Sequence, residues 1–427
     1  MKKIIYKKLK KLILNTTFKN LSYISIGTFG AAFFALLFGI VAARYLGPDE
    51  FGRFGYYKSI FTTVGIFFVL GMNTYVVINI AKYPKKTNKS ITCNFINRTL
   101  AIIFTSTVFW LINYVMHFIP VENATILLFF ASIVTNYSSL FSGVIRAYEE
   151  MKYLGFFKIL QPILTLGLFI LTAAIFKMRI EGAAFASLIS VSIVAILSYN
   201  IIIRKIKYKY VKVYFYDITN LFVNSLPFLL TSIVSILYLQ VDTIMINRMV
   251  NDSETGFYLI ASQIIKSILL IAGIFNTILL PKMSKFNFNS SDNKIWLKLL
   301  LILGLIVSII LFFSSDYLIQ ILFGSKYSYS SNILKILSFI IPISFISASL
   351  SAFFSAKNQQ KKVLFINTLI LILNIPFNYL LIIRWQAAGA AISTLLCSII
   401  TIILFIIFYR LYIKKYEKNK SKKCDVI

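Results

Sequence analysis

The sequence predicts an all-α polytopic membrane protein of about 12 transmembrane helices, built as two parallel six-helix lobes. Three observations carry that reading. Of the 427 residues 59% are hydrophobic and only 14 are acidic, and the apolar residues fall in runs of about 20, the length at which a helix crosses the hydrocarbon of a bilayer. The 44 Lys and Arg residues concentrate in alternate loops. Several short motifs recur, in order, at a nearly constant separation.

The runs predict helices near 21–43, 59–80, 99–118, 124–145, 156–176, 182–203, 221–247, 257–280, 295–314, 333–356, 363–383 and 387–409. The first follows a lysine-rich start, but its apolar stretch is too long for a signal peptide and further spans follow, so it reads as an uncleaved first helix. An even number of spans puts both termini on one side. The termini and the loops of that side carry 34 Lys and Arg; the opposite loops carry nine, namely Arg44, Arg53, Lys58, Lys177, Arg179, Arg248, Lys326, Lys335 and Arg384. The positive-inside rule then places both termini in the cytoplasm.

That rule and attraction to anionic membrane lipids account for the net charge of +30, so nucleic acid is not an expected partner. The opening "MKKIIYKKLKKLIL" suits a helix on the inner membrane surface or a simple topology anchor. The basic tail "KKYEKNKSKK" reads as disordered. Cys93, Cys397 and Cys424 form neither a disulfide framework nor a metal site, and the one histidine, His117, reads as interfacial. No G-x-x-x-x-G-K is present, so ATP hydrolysis by this chain has no support, and no cofactor is expected.

The repeat defines the lobes. Arg44, Glu50 and Gly52 match Arg248, Glu254 and Gly256 at an offset of 204; "YKSIFTTVGIF" from Tyr57 matches "IKSILLIAGIF" from Ile265 at 208; "GAAFASL" from Gly182 matches "GAAISTL" from Gly389 at 207. An offset that crosses six spans returns each helix to its orientation, which gives parallel repeats about an axis along the membrane normal, a plan common in transporters. The organisation expected is an N-terminal lobe over 1–203, a cytoplasmic linker over 204–220, a C-terminal lobe over 221–413 and a basic tail over 414–427.

"RYLGPDEFGRFGYY", "GVIRAYEEMKY", "VDTIMINRMVNDSETGFYLIA", "LIQILFGSKYSYSSNILKILS" and "NTLILILNIPFNYLLI" followed by "AAGAAISTLL" resemble motifs of the polysaccharide biosynthesis branch, the O-antigen flippase family, of the multidrug/oligosaccharidyl-lipid/polysaccharide exporter (MOP) superfamily. The resemblance spans nearly the whole chain. It implies a V-shaped, two-lobed flippase that moves an undecaprenyl-pyrophosphate-linked oligosaccharide unit of O-antigen (lipopolysaccharide) type from the inner to the outer leaflet by alternating access, with polysaccharide polymerase machinery as a possible partner and no enzymatic activity.

The charges inside the spans suggest the mechanism. A charge at the middle of a span costs about 2.5–3.5 kcal/mol on insertion scales, so it should face a wet cavity or a partner. Asp242 is the one acid well inside a predicted span, Lys266 the clearest base, and Lys58 its repeat mate. Asp242 and Lys266 are expected to pair across the short corner at 248–256, with Asp242 otherwise the residue for Na+ or H+ coupling. Lys58 and Lys266, extended by Arg44, Arg248 and Arg146, would form a cationic cavity for the pyrophosphate. Against this stand the ordinary roles of arginines at helix ends, which snorkel to head groups. Asn374 and Asn378, four apart on one helix face, are the candidate sugar contacts. With the inside negative, two negative charges moving outward gain roughly 4–5 kcal/mol per 100 mV.

Two rivals remain from the sequence. A cation-coupled multidrug exporter of the same superfamily would need intramembrane acids, whereas Asp49, Glu50, Glu122, Glu149, Glu150 and Glu181 of the first lobe all fall in loops. A membrane polysaccharide polymerase would need a large outer loop, and the longest, near 315–332, offers only Asp316 and reads as a short interfacial helix, "DYLIQILFG".

Overall fold

The computed structural model describes residues 16–285 and 291–424. The expected surface helix over residues 1–14 lies outside them. Among the described residues the chain is helical: α1 (Thr16–Val69), α2 (Met72–Lys82), α3 (Thr87–Met116), α4 (Asn123–Ala147), α5 (Met151–Phe176), α6 (Ile180–Arg204), α7 (Phe215–Met249), α8 (Asp252–Lys285), α9 (Ser291–Phe323), α10 (Tyr329–Ser338), α11 (Ile340–Ala356) and α12 (Gln360–Cys424). Among the described residues nine helices are long and apolar enough to cross a membrane, and two of these, Lys19–Val69 and Gln360–Ile413, are 51 and 54 residues long. Each of the two contains a break, at Gly47 and at Gln386. All twelve expected segments fall on helix.

The breaks follow from local chemistry. Gly47 has φ 79°, a conformation costly for a residue with a side chain, and Pro48 opens the next limb, where its missing N–H is harmless. The matching corner between α7 and α8 uses a different device: Asn251 Oδ1 accepts the Glu254 N–H at 2.8 Å, an N-cap for α8. The two repeated glutamates do related work. Arg179 Nε lies 2.7 Å from Glu50 Oε1, and its Nη2 donates to Leu46 O at 3.0 Å, which ties the first corner to the start of α6. Glu254 Oε2 accepts the Ala387 N–H at 3.1 Å, just past the break in α12. The polar corner is therefore repeated because each lobe uses it to anchor the start of its sixth crossing.

Three expectations are corrected. The segment "DYLIQILFG" is not a separate interfacial helix but continues α9 through Phe323. The basic tail is not irregular: α12 runs on through Cys424, as its lysine and glutamate content and lack of Gly or Pro after Gly389 allow. The second expected span is not one rod. It is broken at Leu70 (φ 48°) and Gly71 (φ 74°), and α2 begins after it, whereas the corresponding α8 continues through Lys285.

Contacts divide the chain into compact units Met1–Gln240 and Val241–Ile427. The division falls within α7, not in the 204–220 segment, because the first half of α7 is bonded into the first unit. Ser225 Oγ donates to Leu70 O at 3.0 Å, and Asn97 Nδ2 donates to Ile218 O at 2.9 Å. A buried cluster of Met72, Val76, Ile80, Leu140, Val144, Ile145 and Leu154 packs that end of the unit. In the adjoining loops Lys205 Nζ bonds Glu150 Oε1 at 2.5 Å, and that hydrogen bond raises the pKa of the lysine.

The repeated glycines mark close approaches. A Cβ on Gly389 would stand 2.1 Å from the Leu381 carbonyl oxygen, a backbone atom, while one on Gly182 would meet the Met178 and Thr172 side chains at 2.9 Å. Gly389→Ala is therefore expected to cost about 1–3 kcal/mol as an overpacked site, and Gly182→Ala clearly less. Thermal unfolding of the detergent-solubilised variants checks the order.

Candidate functional site: a cationic cavity and a buried carboxylate

The first unit contains a cavity of about 670 Å³. Its wall is mixed: Phe38, Phe61 and Leu128 on the apolar side, and Thr62, Asn73, Thr135, Asn136, Ser139 and Gln161 on the polar side. Among the described residues the charged ones lining it are Lys58 and Lys158, and none is an acid. Lys58 also lies 5.9 Å from the Phe54 ring centroid, and Lys158 Nζ donates to Thr28 Oγ1 at 3.0 Å. The break at Leu70–Gly71 borders the cavity, in keeping with the rule that irregular backbone at membrane depth is tolerated where it lines a cavity.

A second cavity, about 380 Å³, shares Asn73, Thr74, Thr135, Ser139 and Gln161 with the first and carries Arg146. Ser139 and Arg146 are seven residues apart on α4, or about 10 Å along its axis. The shared residues form a neutral, hydrogen-bonding neck with a cation to either side, Lys58 and Lys158 in one cavity and Arg146 in the other.

Behind the neck lies Arg98, which is 0% exposed. Its Nη2 donates to Asn73 Oδ1 at 2.6 Å, and its Nη1 donates to Ser139 Oγ at 3.1 Å and to the Asn136 carbonyl. Its Nε has no partner. No acid among the described residues pairs with it, so one guanidinium is held by amide, hydroxyl and carbonyl oxygens alone.

The second unit answers with the opposite charge. Asp242 is buried on α7, where Oδ2 accepts the Tyr258 hydroxyl at 2.6 Å and the Thr394 hydroxyl at 3.0 Å, and Oδ1 accepts Asn378 Nδ2 at 2.6 Å. Asn378 Nδ2 also donates to Asn374 Oδ1 at 3.1 Å, while Asn378 Oδ1 has no partner. Among the described residues three or more His, Cys, Asp or Glu do not gather anywhere as a metal cluster.

The structure sorts the predicted residues. Lys58 and Arg146 line the connected cavities. Arg44 and Arg248 are exposed at the corners and line neither. Lys266 reaches Asp242 only through space, without an ion pair among the described residues, because Tyr258, Thr394 and Asn378 already satisfy the carboxylate. Asn374 and Asn378, the candidate sugar contacts, offer no exposed surface in this structure: both are 0% exposed and bond to Ser393, to each other and to Asp242. Two cations were missed, Arg98 and Lys158. Each sat at the edge of a predicted span and counted as a loop charge, whereas α3 starts eleven residues before Arg98 and α5 seven before Lys158.

A multi-span helical protein with a cavity lined by lysines in one unit and a buried, hydrogen-bonded aspartate inside a span of the other has the make-up of a membrane transporter. The chain belongs to the polysaccharide biosynthesis protein family, whose model matches residues 17–287, and a MatE model matches residues 293–380. It is 23% identical over 409 residues to the capsular polysaccharide biosynthesis protein CapF of Staphylococcus aureus, covering 92% of this chain and 99% of the relative. Among solved structures, the lipid II flippase MurJ in an inward closed conformation is similar with TM-score 0.74 at 18% identity, over 91% of this chain and 87% of that one. An inward-facing multidrug resistance MATE family transporter gives 0.73 at 15%, over 91% and 96%. The likeness to both is one of fold.

Asp242→Ala would remove the acceptor that Tyr258, Thr394 and Asn378 share; Thr394 keeps Ala390 O and Asn378 keeps Asn374 Oδ1, so the expected loss is that of about one buried hydrogen bond to a charged group, about 1.5–3 kcal/mol. Asp242→Asn retains an oxygen acceptor and should lose markedly less. The thermal midpoints of the two variants test the difference.

Proposed function

We propose that the chain is a flippase that carries an undecaprenyl-pyrophosphate-linked oligosaccharide repeat unit, of the capsular or O-antigen type, from the cytoplasmic to the outer leaflet of the cytoplasmic membrane by alternating access. The observation that carries this reading is the cavity bearing Lys58 and Lys158 with no acid in its lining. A pyrophosphate cannot cross hydrocarbon bare; two ammonium groups and a wall of hydroxyls and amides replace part of its hydration, while the polyprenyl tail stays in the bilayer. The name of the CapF relative points to the same pathway class. A multidrug exporter for cations is less well served by a cavity that repels positive charge. No covalent chemistry is needed, and the chain is read as a transporter without enzymatic activity.

Asp242 is the residue proposed for coupling to Na+ or H+. Its carboxylate and the unpartnered Asn378 Oδ1 belong to one hydrogen-bonded cluster, and oxygen donors of that kind suit either ion. A bound cation would supply positive charge there, and Asp242 would hold it.

Deleting the gene should trap complete single lipid-linked units on the cytoplasmic face, read with a membrane-impermeant glycan probe. Unpolymerised units on the outer face would assign the chain to polymerisation instead. Lys58→Gln should slow transfer roughly ten- to a hundredfold, the worth of one charged hydrogen bond. Asp242→Asn should abolish any dependence of transfer on a Na+ or proton gradient while leaving the protein folded.

A further inference from the structure

Arg98 has no place in the function argued so far, yet it is the largest fully buried side chain among those described. An arginine remains charged in proteins, and a buried cation without a carboxylate is costly to keep. A merely structural tie between α2, α3 and α4 would be served better by a neutral amide or by an acid opposite the arginine. Neither is present: Asn73 stands where an aspartate would complete an ion pair.

The donor inventory shows what this achieves. The guanidinium has only N–H donors, and it takes up the local acceptors, Asn73 Oδ1, Ser139 Oγ and Asn136 O. Asn73 is thereby fixed with its NH2 as the free end. One of those protons goes to Ser139 Oγ at 3.0 Å, which leaves the other. Ser139 in turn donates to Asn136 O at 2.6 Å. Asn94, one turn before Arg98 on the same face of α3, has both amide atoms buried and unpartnered, so the cluster is under-satisfied as well as charged. Asn73 and Ser139 line both cavities. The Ser139 hydroxyl is therefore committed, its proton to Asn136 O and its oxygen to Arg98 and Asn73, and the neck keeps one Asn73 amide proton to offer, backed by a positive charge that no acid among the described residues neutralises.

We propose that Asn73, braced by Ser139 and charged from behind by Arg98, forms a second anion subsite at the neck, which takes a pyrophosphate or phosphate group between the cavity of Lys58 and that of Arg146. Arg98 is a positioning residue, acting through Asn73 and Ser139. The inference rests on the flippase reading, because it needs an anion in the Lys58 cavity.

The test measures binding of inorganic pyrophosphate and of farnesyl pyrophosphate to the purified full-length protein by calorimetry, with thermal unfolding of each variant alongside. Asn73→Asp supplies the missing carboxylate. It should fold at least as stably as the parent yet bind both probes at least tenfold more weakly. Arg98→Lys should bind better than Arg98→Gln, and Asn73→Asp keeps the test decisive where Arg98→Gln does not fold. Tighter binding of the farnesyl compound assigns the subsite to a lipid head group, equal binding to the free anion. Asn73→Asp binding within twofold of the parent overturns the subsite, and if Lys58→Gln still loses binding, the flippase reading stands without it. A parent protein that binds neither probe removes both.

Discussion

A formal charge inside a bilayer needs a shell of hydrogen bonds, and the polar architecture of this protein is organised by that need. The two units meet it with opposite signs. In the first, Arg98 is surrounded by neutral oxygens and Lys58 and Lys158 open onto a cavity. In the second, Asp242 collects three neutral donors, while Lys266 stays out of contact. A direct salt bridge would have been simpler in both places. It would also have cancelled the charge, and a cancelled charge does nothing for a substrate or an ion.

The internal repeat shows where the two halves diverged. The corners kept their role: Glu50 and Glu254 each hold the start of the sixth crossing of their lobe, one through Arg179 and the other through the Ala387 backbone. The interior did not. At the offset of 204 the counterpart of Asp242 is Phe38, which packs against Phe54 and Phe169. The break at Leu70–Gly71 has no counterpart in α8. Symmetry therefore governs the scaffold, while the interior polar residues depart from it. Among the described residues the cavity residues Asn73, Ser139 and Lys158 all belong to the first unit, so the proposed site rests on that unit and not on a matched pair of lysines.

Much of the fold was legible because it depends on run length and loop charge, two properties that a bilayer reads directly. The breaks at Gly47 and between the last two crossings were visible as polar corners. The break after Leu70 was not, because Leu-Gly inside an apolar run carries no polar signal; only the approach of the Ser225 and Leu229 backbone to Gly71, where a Cβ would stand 2.5 Å from each, reveals it. For the site, Asp242 was readable as a charge far from any loop, and Lys58, at the edge of its span, as the repeat mate of Lys266. Arg98 and Lys158 were not, because helices extended past the apolar core turn boundary charges into interior ones. Asn374 and Asn378 show the converse: a polar helix face is visible in sequence, but whether it meets a substrate or another side chain depends on tertiary packing.

The neutrality of the neck bears on speed as well as affinity. A substrate that must leave cannot be held by every cation at once. Hydrogen bonds to charged groups are worth about 1.5–3 kcal/mol each, and moving two negative charges through 100 mV supplies roughly 4–5 kcal/mol. Two or three such contacts at any one position match that drive; five would trap the anion. On the proposed function, cations spread over two cavities that share amide and hydroxyl residues, with one charge kept behind them, would divide the path into shallower steps. On this argument the distance between Lys58 and Arg146 matters as much as their presence, and gathering the same charges into one pocket would tighten binding while slowing transfer.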